Sequence, residues 1–300
     1  MASTKRDFLT LLDFSAEELD AIIRRAIFLR NHSGERTLVG RTGVLVFQMK
    51  STRTRVAFDA GMAQLGGHMV VLSPQDSQLG RGEPIEDTAR VLSEMVDVVV
   101  VRTAEQSDIE TLAASASIPI INAMSTRYHP CQLLADVQTF EELRGPISGA
   151  TVAFVGDGYN MCHSYINAAR QWGFNLKIAC PPGYTPDAEL LAHSNNAQLV
   201  ETPREAVESA DLVVTDVWSS MGHEGEESER LAVFSGYQIN PAMLDYASDD
   251  VLFMHCLPAH RGEEVSEDVL DDPRSAVYHE AGNRLHSQKA LLEFVINGGW

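Results

Sequence analysis

Two rhythms of apolar residues alternate along this chain. Near the N-terminus, "SAEE" at Ser15 to Glu18 has the spacing of a capping box, and "LDAIIRRAIFL" continues it with the periodicity of an amphipathic helix. The rhythm then shortens. "GVLVF" (43–47), "HMVVL" (68–72), "DVVVV" (97–101) and "IPIIN" (118–122) are short β-rich runs, and helical patterns near 53–65 and 85–96 separate the first three. Such alternation predicts repeated strand–helix units.

A long helix with proline in its first turn, "PCQLLADVQTFEELRG", runs from Pro130 towards Gly145 and reads as a connector. Beyond it the alternation restarts with "TVAFVG" (151–156), "NLKIAC" (175–180), "AQLVE" (197–201), "DLVVTD" (211–216) and "VLFMH" (251–255), interleaved with helical segments. These runs are apolar almost throughout rather than at alternate positions, which suits parallel sheets covered on both faces. The expected fold class is therefore α/β, with two doubly wound parallel-sheet domains joined by long helices. The expected boundaries are 1–136 and 137–283, with a C-terminal helix, 284–300, built on the amphipathic "NRLHSQKALLEFVI" and packing back on the first domain. Sheets of this kind bind ligands beyond the carboxyl ends of their strands, so the strand tips are the places to search.

Composition mainly excludes. With 300 residues, 44% of them hydrophobic, the chain can bury a substantial core. No stretch approaches the roughly 18 consecutive apolar residues of a membrane span, and "MASTKRDFLT" lacks the apolar centre of a signal peptide, so a cytoplasmic protein is expected. Cys131, Cys162, Cys180 and Cys256 are scattered without a CxxC pair, which suggests neither a disulfide framework nor a zinc finger; no metal and no cofactor is expected. The net charge of -19 argues against nucleic-acid or anionic-membrane partners. An anionic small substrate remains admissible, since a cleft can concentrate positive charge against an acidic exterior.

The strand tips carry the candidate chemistry. "STRTR" places Ser51, Thr52, Arg53 and Thr54 at a strand-to-helix turn, where backbone N–H groups and the helix dipole favour anions and Arg53 adds a fork for phosphate oxygens. An ordinary capped helix with a solvated arginine is the other reading. Arg102, at the end of "DVVVV", converges on the same sheet edge, whereas Arg55 has no assigned ligand role. His129 and Gln132 of "HPCQ" flank the first turn of the connector helix, and either can donate to a carbonyl oxygen; a cap or core histidine is the alternative. "VGDGYNMCHS" fails the GxGxxG spacing, because Met161 takes the third position, and a dehydrogenase is disfavoured. Asn160, Asp216, Ser220 and Met221 lie at further strand ends, where Asp216 suits an ammonium group or a turn cap. In "FMHCLPAHRGEE", His255, Cys256 and His260 raise metal binding or a thiol nucleophile without compelling either, and Leu257-Pro258 is a candidate cis peptide.

Taken together, "STRTR", "SQLGRGEPIEDTARVLSEMVD", "HPCQLLAD", "DVWSSMG", "HCLPAHRGEE" and "NRLHSQKALL" resemble the aspartate/ornithine carbamoyltransferase family, in the family's order and over essentially the whole chain. The resemblance implies that the first domain binds carbamoyl phosphate and the second binds ornithine. Carried over by residue, it implies that Ser51, Thr52, Arg53, Thr54 and Arg102 hold the phosphate, while Thr54, His129 and Gln132 polarise the carbamoyl carbonyl. Arg284, with Cys256 and Leu257, would hold the carbamoyl group, and Gln78 lies in the loop that reaches a neighbouring subunit in the family. "DxWxSMG" and "HCLP" are similar to the ornithine-specific members. Asp216 would pair with the α-ammonium, Asn160 would meet the amino-acid end, and Ser220, Met221 and Cys256 would complete the pocket.

The expected reaction is carbamoyl transfer to L-ornithine, yielding L-citrulline and phosphate in arginine biosynthesis, by a homotrimer with sites at subunit interfaces. Carbamoylation of another amine, such as putrescine or an acylated ornithine, and a catalytically silent regulatory protein on the same fold are the alternatives. Departures from the family pattern include Tyr159 in place of the usual asparagine and His223 in "SMGHE"; both bear on ornithine binding and loop closure.

Overall fold

The computed structural model describes residues 5–73, 82–219, 225 and 227–299. The chain divides into two compact units, Met1–Gln138 with Gly282–Trp300, and Thr139–Ala281. Each is an all-parallel sheet with helices between its strands, so the expected α/β class holds.

The first long helix of the first unit is α1 (Ala16–Asn31), whose capping box is formed as the sequence predicts: Ser15 accepts from the Glu18 N–H, and the Glu18 side chain answers the Ser15 N–H. There follow β1 (Thr42–Phe47), α2 (Arg53–Gln64), β2 (His68–Leu72), α3 (Ile85–Ser93), β3 (Val98–Arg102), α4 (Gln106–Ser115), β4 (Ile120–Met124) and α5 (Pro130–Arg144). Strand order is β2-β1-β3-β4. Val44, Val46, Val99, Val101 and Ile120 pack with Ala89 of α3 and with Ile109, Leu112 and Ala113 of α4. Burying each large side chain of this kind is worth about 1.5–3 kcal/mol, which is why central strands read as unbroken apolar runs. Edge strand β2 is more exposed, with a weaker pattern.

Two local expectations need correction. The helix expected over 85–96 ends at Ser93, because Glu94, Met95 and Val96 turn back on Val91 and Leu92. Helix α4 was not foreseen, since its short stripe of Ile109, Leu112 and Ala113 interrupts a mainly polar sequence. An N-terminal segment also adds to the sheet, with the Phe8 N–H donating to Ile120 O and the Asn122 N–H donating to Phe8 O, both at 2.8 Å.

The second unit contains β5 (Thr151–Val155), α6 (Asn160–Trp172), β6 (Asn175–Ala179), α7 (Ala188–Ala192), β7 (Ala197–Leu199), α8 (Pro203–Val207), β8 (Leu212–Thr215), α9 (Glu227–Phe234), α10 (Pro241–Leu244) and β9 (Leu252–His255). Its strand order is β7-β6-β5-β8-β9. Val155, Val213 and Phe253 share a core with Val207, Ile239, Val265 and Val277. The chain leaves the first unit within α5 and returns to it within α11 (Val277–Asn297). In the first unit Gln138 Nε2 donates to Asn283 Oδ1 at 2.9 Å, and in the second His279 pairs with Glu142 at 2.6 Å.

Candidate active site

The order β2-β1-β3-β4 makes the connections after β1 and β3 leave in opposite directions, opening a crevice at their carboxyl ends. Ser51 to Thr54 follow β1, and Arg102 ends β3. The N-cap of α2, Thr52, makes no side-chain capping bond, and the amides of a helix's first turn are a natural place for an anion. Arg102 is held from behind: the Gln48 N–H donates to its carbonyl at 2.9 Å, and Thr103 Oγ1 donates to Gln48 Oε1 at 2.6 Å. The β3–β4 register shifts between Val101 and Arg102, an irregularity at the residue that ends the strand.

Thr54 is buried and accepts from Arg284 Nη2 at 2.9 Å, across most of the chain's length. Arg284 Nη1 also donates to Gln132 Oε1, and Gln132 Nε2 donates to Asp136 Oδ1 at 2.8 Å. Gln132 is thus fixed at both ends of its amide. His129 is buried beside these residues, and burial together with the charges of Arg284, Arg102 and Arg53 holds its pKa well below the ordinary histidine value. At neutral pH it is a neutral imidazole, able to donate one N–H without adding charge. The structure thereby brings Arg53, Thr54, Arg102, His129, Gln132 and Arg284 into one cationic neighbourhood. Ser51 is half-buried at the turn, Thr52 is exposed, and Arg55 points to solvent.

The second crevice uses the same device with opposite charge. The order β7-β6-β5-β8-β9 puts the switch between β5 and β8, and Asn160 and Asp216 follow those two strands. Gly156 has φ +137°, a conformation that favours glycine. At Gly158 a side chain is barred, because a Cβ would lie 2.3–2.6 Å from backbone atoms of Tyr184, Thr185 and Pro186. Asn160, first residue of α6, and Asp216 are both buried. Asp216 Oδ1 accepts from the Val217 N–H at 2.8 Å and from Cys256 Sγ at 3.2 Å. Burial nonetheless pushes its carboxyl above the ordinary carboxylate value, against the opposing pull of His255, the thiol and the amide.

Behind Cys256, the Leu257 N–H donates to His255 Nδ1 at 2.9 Å, and His255 Nε2 faces Glu264 Oε1 at 3.1 Å. Leu257 has φ +55°, sparsely populated for a non-glycine residue, and the Leu257-Pro258 bond is cis, as the sequence suggested. Asp216, His255 and Cys256 place potential metal-ligand atoms within 4.8 Å of one another. Both ring nitrogens of His255 are already engaged, which leaves the carboxylate and the thiol as donors. His260, Glu263 and Glu264 form a second such group, and Oε1 of Glu264 already accepts from the His260 N–H at 2.6 Å and from His255. Gln78, Ser220 and Met221, together with His223, lie outside the described residues.

Motif reading missed a buried ion pair, Asp157 with Arg230 at 2.7 Å, beside this crevice. Asp157 lies within the glycine turn already noticed, but nothing in the sequence joins it to a residue 73 positions away.

Two parallel switch-point sheets, one with arginines at its strand tips and the other with Asn160 and Asp216, define the class. The chain belongs to the aspartate/ornithine carbamoyltransferase family: the family's carbamoyl-phosphate-binding domain matches residues 6–142 and its aspartate/ornithine-binding domain matches residues 148–295. Among its relatives is an ornithine carbamoyltransferase of Chromohalobacter salexigens, 54% identical over 299 residues, with 98% of each chain covered. The anabolic ornithine carbamoyltransferase of Pseudomonas aeruginosa is 55% identical, with 97% of each chain covered. The solved ornithine carbamoyltransferase of Pyrococcus furiosus superposes with a TM-score of 0.93 at 45% identity, covering 99% of each chain.

Proposed function

We propose that this chain transfers the carbamoyl group of carbamoyl phosphate to the δ-amine of L-ornithine, giving L-citrulline and phosphate in arginine biosynthesis. One observation carries the reading: His129 is buried within the field of three arginines, Arg53, Arg102 and Arg284, of which Arg53 opens α2, whose N-cap Thr52 makes no side-chain capping bond. A doubly charged phosphate with an adjoining uncharged carbonyl needs that combination, since the guanidinium groups meet the phosphate oxygens and a neutral imidazole can donate to the carbonyl.

In this reading Ser51, Thr52, Arg53, Thr54 and Arg102 hold the phosphate. His129 and Gln132, with Thr54, polarise the carbamoyl carbonyl, and Arg284 fixes Thr54 and Gln132 in place through its two hydrogen bonds. Charge that develops on the carbonyl oxygen then meets donors already aimed at it. Asp216 receives the α-ammonium of ornithine and Asn160 its amino-acid end, with Ser220 and Met221 completing the pocket. An acceptor bearing a second carboxylate, such as aspartate, would be repelled by Asp216.

The δ-amine attacks only as the free base, although an alkylammonium of this kind has a pKa near 10.4 by analogy with lysine. Cys256, whose thiol donates to Asp216 Oδ1, positions that amine, and the departing phosphate accepts its proton. As the carbamoyl C–N bond forms, the carbon–oxygen bond to phosphate breaks, with no covalent enzyme intermediate. Cys256 and Leu257 are further assigned to the carbamoyl group.

A homotrimer is proposed, with Gln78 contributing to a neighbouring site. Val56, Val70, Val91 and Met95 of the first unit are large apolar side chains left exposed, as an assembly surface requires. Among the described residues no helix is long and apolar enough to cross a membrane, and a cytoplasmic location is proposed. The deciding assay is citrulline formation from carbamoyl phosphate and ornithine, with putrescine and N-acetylornithine as competing acceptors. Preference for either competitor overturns the ornithine assignment, and no product with any acceptor overturns catalysis.

A further inference from the structure

We propose that Arg230 is a positioning residue of the second crevice, whose guanidinium ties together the two turns that carry Asn160 and Asp216 and so sets the spacing on which amino-acid binding depends. The inference rests on reading this crevice as the ornithine site.

The two turns leave adjacent strands and diverge. At their base they are joined by Thr215 Oγ1, which donates to Val155 O at 2.6 Å. Further out, Arg230 takes over. Its Nη1 donates to Asp157 Oδ2 at 2.7 Å and to Trp218 O at 2.8 Å. Asp157 stands three residues before Asn160, and Trp218 two residues after Asp216. A single nitrogen therefore bridges both walls of the crevice, using both of its hydrogens.

The guanidinium is itself held in place. It is buried on α9, with Cζ 4.9 Å from the centroid of Tyr184, whose ring contacts Phe234 of the same helix edge-on at 4.9 Å. Trp218 lies at 5.8 Å from Phe234, so the residue whose carbonyl Arg230 binds packs on the helix that carries Arg230. The Tyr184 carbonyl also accepts from the Gly158 N–H at 2.8 Å, which ties the same loop to the Asp157 turn.

Stability alone accounts poorly for this arrangement. A buried ion pair loses hydration that its own attraction only partly restores, and apolar replacements of similar volume often stabilise as well or better. What such a pair supplies here is direction. A planar guanidinium fixes the separation of two acceptors in a way that lysine's single ammonium cannot reproduce fully.

The test compares Arg230→Gln, Arg230→Lys and Asp157→Asn with the wild-type chain by steady-state kinetics, carbamoyl phosphate titration and melting temperature. In Arg230→Gln and Asp157→Asn the KM for ornithine should rise about tenfold or more, because small displacements of positioning groups are amplified in this way, while kcat stays within about threefold. Carbamoyl phosphate affinity should stay unchanged. Lysine, which keeps the charge beside Asp157, should restore part of the ornithine KM. If Arg230→Gln fails to fold, the other two variants decide. An unchanged KM with only a lower melting temperature would reduce Arg230 to a structural role and overturn the proposal. So would a proportionate fall in kcat and in affinity for both substrates. Absence of citrulline from the wild-type chain would instead remove the reading of the site and this inference with it.

Discussion

The two sheets solve the same geometric problem with opposite charges. In the first unit the crevice beyond β1 and β3 is flanked by Arg53 and Arg102, and their charges act on His129 together with Arg284. In the second, the crevice beyond β5 and β8 is flanked by Asn160 and Asp216, while Asp157 is already paired with Arg230. Topology supplies a cleft at the same place in each, and the residues at the strand tips decide what enters. One cleft suits an anion and the other an ammonium group. Fold alone would not separate them.

The contrast breaks most visibly at Arg53. Arg53→Ala should raise the dissociation constant for carbamoyl phosphate on the order of 10³-fold, as loss of a charge-assisted partner does, with ornithine's own contacts intact. Calorimetric titration checks it. His129→Ala should lower kcat roughly 10²–10³-fold with a much smaller change in carbamoyl phosphate affinity, because the donor acts on charge that develops during reaction. Pre-steady-state kinetics separate the two effects. Asp216→Asn should raise the KM for ornithine about 10²-fold and leave carbamoyl phosphate binding as it was, matching the loss of one charge pair in a buried pocket.

The smallest effect is a pH dependence of stability. His129 has a depressed pKa in the folded protein, so between that value and the ordinary 6.5 the unfolded chain binds a proton that the folded chain does not. The stabilisation is fully present above pH 6.5 and is lost as pH falls towards the folded value. Chemical denaturation between pH 7 and pH 5 should show a loss of up to about 1.4 kcal/mol per pH unit from this group, absent in His129→Asn. Equal slopes in both proteins would contradict the assignment of His129 as a buried neutral donor.

Much of this contrast was legible in the sequence, for identifiable reasons. Strands covered on both faces are apolar almost throughout, so "DVVVV" and "TVAFVG" are legible as such, and the residues at their tips stand out by interrupting them. Ser15 and Glu18 marked the start of α1 because a capping box is local. Long-range pairing was not legible. Arg284 reaches Thr54 from the far end of the chain, and only resemblance to a family had singled it out. The Arg230 contact with Asp157 had no signal at all, since a charged residue in a polar stretch reads as solvated. Phe8 beside β4 escaped notice because a one-residue bridge has no period.

The most direct measurement is a crossed titration: carbamoyl phosphate, or a stable phosphonate analogue of it, titrated calorimetrically into Arg53→Ala and into Asp216→Asn. The account predicts that Asp216→Asn binds the ligand as the unaltered chain does and that Arg53→Ala binds it barely or not at all. Wild-type affinity in Arg53→Ala, or equal losses in both variants, would contradict the division of the two substrates between an arginine crevice and a carboxylate crevice.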